Sequence, residues 1–459
     1  MSSETHFLPR RPRNEPALNN SIPLVLQSIV EWLPIDALHP FTGNARIHSP
    51  KQVRQIASSI EQFGFTNPIL IDEACTILAG HGRIEAARLL GLVEVPTLRL
   101  ERLSEAQKRA YVLADNRLAE LAGWDQNLLS IELQHLVELD FNIELTGFST
   151  AEFDALAEER SAADDAADRL PEHDPKQPPV SRVGDLWQLG RHRLICADAT
   201  KSDAFHQLLG DARPQMVFSD PPYNVQIDGN VCGTGRIRHD EFIMASGEMS
   251  SAEFTEFLGT VFRNLTAYST NGSIHFICMD WRHMREILDA AESCYELKNL
   301  CIWNKDNAGL GSFYRSKHEL VFVFKSGDGP HVNNFRLGET GRYRTNVWDY
   351  PGINTRIEEL SLHPTVKPTA LVADAIRDCS KSNGIILDAF AGSGTTLIAA
   401  ERTRRKAFAV ELDPKYVDIA IRRWEAFTGD TATHAATGCS LAELTIHRSA
   451  QCPSTARKS

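Results

Sequence analysis

A chain of 459 residues is too long for one ordinary core and predicts two or three domains. Hydrophobic residues at 42% and charged residues at 24% exclude a largely unstructured chain, and no apolar run is long enough to cross a membrane as a helix. The formal net charge of -12 speaks against a uniformly basic nucleic-acid binder, yet many of the acids gather in residues 151–174, which leaves a groove elsewhere free to be basic.

Residues 1–22 are polar, rich in Pro, Asn and Arg, and lack an apolar signal core, so they are expected to be disordered in a cytoplasmic protein. Residues 53–63 place Val53, Ile56, Ala57, Ile60 and Phe63 at helical spacing, with Gly64 as a stop. Short strands are expected at 68–71, 76–78 and 95–100, a helix at 84–90, and another from the N-cap Ser104. Residues 23–150 thus read as a small α+β domain with a helical tail. Residues 151–182 turn acidic and Ala-rich, then Pro-rich, and predict a linker. From 183 to 429, strand-like runs at 215–219, 273–278, 319–324, 384–389 and 407–411 alternate with helical ones at 251–268 and 369–379. That alternation predicts an α/β domain: an open, mostly parallel sheet covered on both faces, with ligands beyond the carboxyl ends of its strands. Residues 430–459 are expected to be a loose tail. The nine cysteines are scattered without a CxxC pair, so no disulfide framework and no metal site is expected.

Two strand ends carry chemistry. After MVFS comes Asp220-Pro221-Pro222-Tyr223. Two prolines fix φ and remove two N–H donors, so the corner offers carbonyl acceptors, a carboxylate and an aromatic face. These are what an exocyclic amino group and its base need; a rigid strand-ending turn is an equal reading of the tetrapeptide alone. After GIIL comes Asp388-Ala389-Phe390-Ala391-Gly392-Ser393-Gly394-Thr395, a glycine turn opening a helix. Glu411 ends the next strand nineteen residues beyond Gly392, a spacing that suits ribose hydroxyls. The turn lacks the GxxxxGK[ST] and GxGxxG patterns, which disfavours P-loop ATP hydrolysis and nicotinamide chemistry.

Together these residues resemble the amino-group DNA methyltransferases of the N6-adenine/N4-cytosine class. The resemblance covers about 183–427 and implies a Rossmann-like, S-adenosylmethionine-dependent domain. In it Asp220, Pro221, Pro222 and Tyr223 correspond to the catalytic motif. Asp388, Phe390, Gly392, Ser393, Gly394, Thr395 and Glu411 correspond to the cofactor loop and its ribose acid. His363, Thr365 and Lys367 lie in a matching HPTVKP segment, and Asp198 matches an acid near the cofactor's adenine. The catalytic motif precedes the cofactor motif, the permuted order of the family's beta group, so residues 225–360 are expected to hold target recognition. Arg315, Lys317, Arg342 and Arg344 are its candidate contacts to double-stranded DNA. DPPY is more typical of adenine enzymes and SPPY of N4-cytosine enzymes, so adenine N6 is the expected target and cytosine N4 the alternative. A homodimer is one assembly the resemblance allows, and no membrane partner is expected.

The N-terminal domain resembles the ParB-like nuclease (ParB/sulfiredoxin-like) fold through Asn44-Ala45-Arg46, Asn67-Pro68-Ile69, Gly80-His81-Gly82-Arg83 and Leu113-Ala114-Asp115-Asn116-Arg117-Leu118. In partition proteins the equivalent of GHGR binds nucleotide phosphates, which makes Gly80, His81, Gly82 and Arg83 a candidate site for a nucleoside triphosphate. Residues 80–83 hold no cysteine, so sulfiredoxin chemistry is not expected. The rival reading is a ParB-like DNA-binding module carrying an inactive methylase.

Overall fold

The computed structural model describes residues 30–158, 167–168, 171, 178–225, 244–306, 308, 313–335, 343–352 and 366–450. The expected disordered start, 1–22, lies outside them. The chain divides into two compact units, Met1–Trp124 and Asp125–Ser459.

In the first unit a five-stranded sheet runs in the order Glu31–Pro34, Glu94–Arg99, Ile69–Ile71, Thr76–Ala79, His39–Pro40. Helix Pro50–Phe63 starts where the Ser49 side chain accepts from the Gln52 N–H and ends at Gly64, whose φ of 77° suits glycine. Helix Glu105–Glu120 opens with a capping box between Ser104 and Gln107. Ile69, Ile71, Ile77, Ile84 and Val95 form the core between sheet and helices. This is the expected small α+β fold.

The second unit is built on a ten-stranded sheet. Its centre is five parallel strands, in spatial order His192–Cys196, Lys406–Glu411, Ile385–Asp388, Met216–Ser219 and Ile274–Met279. His318–Ser326 and Tyr295–Asn304 add antiparallel to one side, followed by Val347–Asp349; Leu186–Leu189 and Thr433–His434 add antiparallel to the other. Helices Thr369–Cys379, Thr395–Arg402 and Pro414–Thr428 bury one face, with Trp187 and Trp424 in that core. Ser202–Leu209, Ser251–Tyr268 and Met284–Ala291 bury the other around Phe205, Phe254 and Phe262. From Ile385–Asp388 the chain moves one way across the sheet, to Lys406–Glu411. From Met216–Ser219 it moves the other way, to Ile274–Met279. These two strands are neighbours, so the topological switch point lies at their carboxyl ends.

Three expected boundaries differ from the structure. The division between units falls at 124/125, not at 150. Helices Gln126–Glu138 and Thr150–Glu158 belong to the second unit because charged contacts fasten them to the amino-terminal ends of its strands. Arg405, fully buried, makes paired bonds of 2.7 and 2.9 Å to Asp154, and Asn383 Nδ2 donates to the Val137 carbonyl. The expected linker 151–182 is anchored at several points. Arg423 Nη2 donates to Ala167 O at 2.9 Å, the Asp168 carboxylate accepts from the Thr369 N–H, and Asp418 accepts from the Val180 and Ser181 N–H groups. The expected tail is folded as far as 450: Thr433–His434 joins the sheet, and helix Leu441–Ala450 is held by Arg448 on Asp185.

Candidate active site

The switch point opens into one cavity. It is lined by the tetrapeptide Asp220, Pro221, Pro222 and Tyr223, by Lys367, by Asp388, Phe390, Gly392, Ser393, Thr395 and Thr396, and by Asp198, Glu411 and Asp413. The two motifs that the sequence separates by more than 160 residues therefore share one wall.

Hydrogen bonds fix both strand ends. Ser219 Oγ donates to Asp388 Oδ1 at 3.2 Å, and Thr396 Oγ1 donates to Asp388 Oδ2 at 2.6 Å. The Phe390 N–H also reaches Asp388 Oδ1, at 3.0 Å. Burial nonetheless dominates and pushes the Asp388 carboxyl up to about 6. Glu411 bridges the glycine loop and the next turn: its oxygens accept from the Gly392 N–H at 2.7 Å and the Asp413 N–H at 2.8 Å. Burial lifts it to about 7, the two N–H bonds pulling the other way. Each oxygen keeps a further lone pair for a ligand hydroxyl. Gly394 plays a different part. It caps helix Thr395–Arg402 at φ 83°, and a Cβ there would stand 2.9 Å from Ala420 Cβ, so it lets two helices approach behind the loop. Arg423, buried beneath, binds Ser393 O, Ser393 Oγ and Thr395 Oγ1 at 3.1–3.2 Å. Asp198 lines the cavity and ties its own turn, accepting from Thr200 N and Oγ1 at 2.8 Å.

At the tetrapeptide the Tyr223 hydroxyl donates to Asp220 Oδ1 at 2.6 Å. Lys367, expected among the cofactor contacts, points to the Asp220–Tyr223 corner instead. Its Nζ lies 2.5 Å from Asp220 Oδ2, 3.1 Å from Tyr223 Oη and 3.0 Å from Glu319 Oε2. Burial raises the pKa of Asp220, with Lys367 opposing the rise. For Lys367 burial opposes the charge, and Asp220 and Glu319 outweigh it, so its pKa is raised. Glu319 is held down to about 2 against its burial by Lys367 and Lys305. The sequence reading missed Glu319 and Lys305. By sequence Glu319 is only the start of a strand; the antiparallel pairing of His318–Ser326 with Tyr295–Asn304 brings it to Lys305, and Lys367 reaches it from the segment before helix Thr369–Cys379.

Of the candidate DNA contacts, Arg315 and Lys317 are exposed beside Phe313 and Tyr314, both more than 80% exposed. Arg344 is turned inward, bonded to Asp378 at 2.8 Å and stacked on Trp348, so it braces helix Thr369–Cys379 and is not presented to solvent. Arg342, His363 and Thr365 lie outside the described residues. In the first unit Gly80, at φ 99°, caps helix His81–Leu89. Arg83 Nη1 donates to Asn67 O at 2.6 Å and Pro68 O at 3.1 Å, which joins two of the sequence-predicted segments. His81 Nε2 accepts from the Phe41 N–H at 3.4 Å, and Gly82 packs against His48 and Ile56. Among the described residues no His, Cys, Asp and Glu group suits a metal ion, and no helix is long and apolar enough to cross a membrane.

A family model described as DNA methylase matches residues 215–422, the stretch that contains both cavity motifs. The ParB N-terminal domain matches 24–117, and the ParB-methyltransferase HTH domain matches 127–183. The chain is an N6/N4-family DNA methylase joined to a ParB-like domain. The HTH match begins within three residues of the division between the two units, in agreement with the helices fastened beneath the methylase sheet. The ParB-like nuclease domain-containing protein YnaK of Escherichia coli K12 is 48% identical over 80 residues, 17% of this chain and 92% of that protein. The DNA adenine methyltransferase YhdJ of the same organism is 25% identical over 246 residues, 48% of this chain and 77% of YhdJ. Similar solved structures include the M1.HpyAVI–SAM complex (21% identity, TM-score 0.38, covering 50% of this chain and 97% of that one). They also include the cytosine-N4-specific PvuII methyltransferase (14%, 0.40, 59% and 94%).

Proposed function

We propose that this methylase transfers a methyl group from S-adenosylmethionine to the N6 amino group of adenine in double-stranded DNA. The observation that carries the reading is one cavity in which an amino-group acceptor corner faces a ribose-binding loop across the sheet's switch point. The lining chemistry fits the donor. Five carboxyl groups (Asp198, Asp220, Asp388, Glu411 and Asp413) and one lysine line the cavity, an acidic field that favours a cation and repels a dinucleotide's phosphates even where Asp388 and Glu411 carry protons. Glu411 would hold the ribose, and Asp198, Asp388, Phe390, Gly392, Ser393 and Thr395 would hold the rest. When bound, S-adenosylmethionine supplies a methyl group on a positively charged sulfur.

The target base is rotated out of the duplex, since its amino nitrogen is inaccessible to the cavity while stacked. Tyr223 offers the base a stacking face. Asp220 and the Pro221 carbonyl accept the amino hydrogens, which makes the nitrogen lone pair available. The donor, held by Glu411 and the glycine loop, would supply the electrophilic methyl group, and Asp220 and Tyr223 would hold the amino nitrogen facing it. The nitrogen then releases one proton through Asp220 to water. Positioning and the fixed charges of the corner do most of the work. Asp220 at the head of the tetrapeptide favours adenine, as does the likeness to YhdJ.

The test is incubation of the full chain with unmethylated duplex DNA and labelled donor, followed by nucleoside mass spectrometry. N6-methyladenine is expected. N4-methylcytosine would keep the site and change the base. No methylated nucleoside from a protein that binds the donor would overturn the reading in favour of a ParB-like module with an inactive methylase.

A further inference from the structure

Asp220 and Lys367 line the cavity, and behind them the row of alternating charges continues through Glu319 to Lys305. Lys367 sits between the two acids, with only 5% of its side chain exposed. Lys305 holds the far oxygen of Glu319 at 2.5 Å, and its Nζ lies 4.4 Å from the centre of the Trp303 ring. The Trp303 indole N–H is in turn fixed on the Tyr350 carbonyl at 3.0 Å. Glu319 is thus a rigidly supported anion, and Lys367 touches it with the same nitrogen that touches Asp220.

An ammonium on Asp220 presents what an exocyclic amino group presents: N–H donors within hydrogen-bond reach of the carboxylate, beside the Tyr223 ring. Base and lysine therefore compete for one acceptor. A lysine with no other partner would have to be driven off into a desolvated site at heavy cost. Here the second seat is already built, 3.0 Å away on Glu319 Oε2. We propose that Lys367 holds the place of the target amino group on Asp220 and withdraws onto Glu319 when the base arrives, which makes Lys367 and Glu319 positioning residues of the transfer step. The proposal rests on the reading of Asp220 as the acceptor of the target amino group.

The charged and titratable groups facing Asp220 are Tyr223 from its own turn, Lys367 from the segment before helix Thr369–Cys379, Glu319 from His318–Ser326, Cys278 from Ile274–Met279 and Asp388 from Ile385–Asp388. Lys367 is the one cation among them. Removing it leaves a half-buried carboxylate among acids, so Asp220 protonates at higher pH. Removing the Glu319 charge leaves the ammonium wholly on Asp220, which stays ionised at lower pH but is harder for the base to claim.

The experiment is steady-state methylation of duplex DNA by the full chain from pH 5 to 9, with donor affinity measured by calorimetry. Lys367→Met is expected to move the acid limb of kcat up by at least one pH unit. Glu319→Gln is expected to move that limb down and to raise KM for DNA at least fivefold, with donor affinity unchanged. A purely structural role would depress kcat at every pH. Lys305→Met is the second handle. It is partly exposed, leaves both key residues in place and frees Glu319 for Lys367, so KM for DNA falls. Limbs that stay put or move the same way in the first two variants, or a KM for DNA that rises or stays fixed in Lys305→Met, overturn the proposal. A wild-type protein that methylates no DNA overturns the parent reading instead.

Discussion

Asp154→Ala tests whether the helices at 126–158 are part of the catalytic unit. Asp154 and Arg405 are 5% and 0% exposed, and the pair is bidentate at 2.7 and 2.9 Å. Breaking a buried pair costs about 3–5 kcal/mol because the remaining charge is left in a dry interior. Arg405 keeps the Thr403 and Ser380 carbonyls at 2.6 and 3.1 Å, which places the loss near the lower end, about 3 kcal/mol. Asp125–Ser459 has an unfolding entropy of roughly 0.7 kcal/mol/K at the usual value per residue, so Tm falls by about 4 °C. Asp140→Ala is the internal control. Its bond to Lys406 joins the same two segments, but the Asp140 side chain is 64% exposed, and its loss costs about 1 kcal/mol or less. The assay is differential scanning calorimetry of the full chain, following the transition that S-adenosylmethionine raises. If Asp154→Ala leaves that transition within about a degree of wild type, or lowers only a different one, the helices are not integral to the catalytic unit and the argument fails.

Other expectations follow from the cavity and its rim. Asp220→Ala abolishes methyl transfer while donor affinity, measured by calorimetry, stays within about threefold, because Asp220 serves the base and not the loop. Glu411 is protonated below about 7, and only its ionised form accepts fully from ribose hydroxyls, so donor affinity rises as pH increases from 6 to 8. Glu411→Gln flattens that slope. Without ligand the sign reverses. The raised carboxyls of Asp388 and Glu411 give stability that is fully present below pH 4 and lost as pH climbs through about 6 and 7, a trend that apo Tm measurements would show. Replacing Arg315 and Lys317 by alanine weakens DNA binding at all sequences and lowers the salt slope of log K by about 0.9 for each phosphate no longer neutralised. An unchanged slope would place the DNA elsewhere.

Much of this architecture was legible because the chemistry sits where strands end. The double proline after MVFS and the glycines after GIIL punctuate the chain at the carboxyl ends of adjacent strands, and Glu411 follows at a spacing set by one helix and one strand. What escaped was fixed by side chains meeting from distant parts of the chain. Lys367 sits in a motif that suggested the cofactor, and nothing local says that it reaches Asp220, 147 residues away. The described residues of 151–182 and 430–450 have the composition of linker and tail because much of what holds them is polar (Arg423 on Ala167, Asp418 on Val180, Arg448 on Asp185), while their buried apolar residues, such as Phe153, Leu441 and Leu444, are too few to set a period over the whole stretch. Arg344 is the converse case: a basic residue in a recognition segment, taken inward by two acids of one helix.

The two residues Thr433–His434 have a consequence out of proportion to their length. They pair with Gln188 and Trp187 along the outer side of Leu186–Leu189, and the His434 ring packs edge-on against Trp187 and reaches Asp185. Without them a longer strand would present unpaired N–H and C=O groups at the rim of a large sheet, an open template for another chain. Thr433–His434 thus covers part of an edge that would otherwise be open to a second chain. A protein ending at 430 is expected to scatter light on warming well before its catalytic unit unfolds.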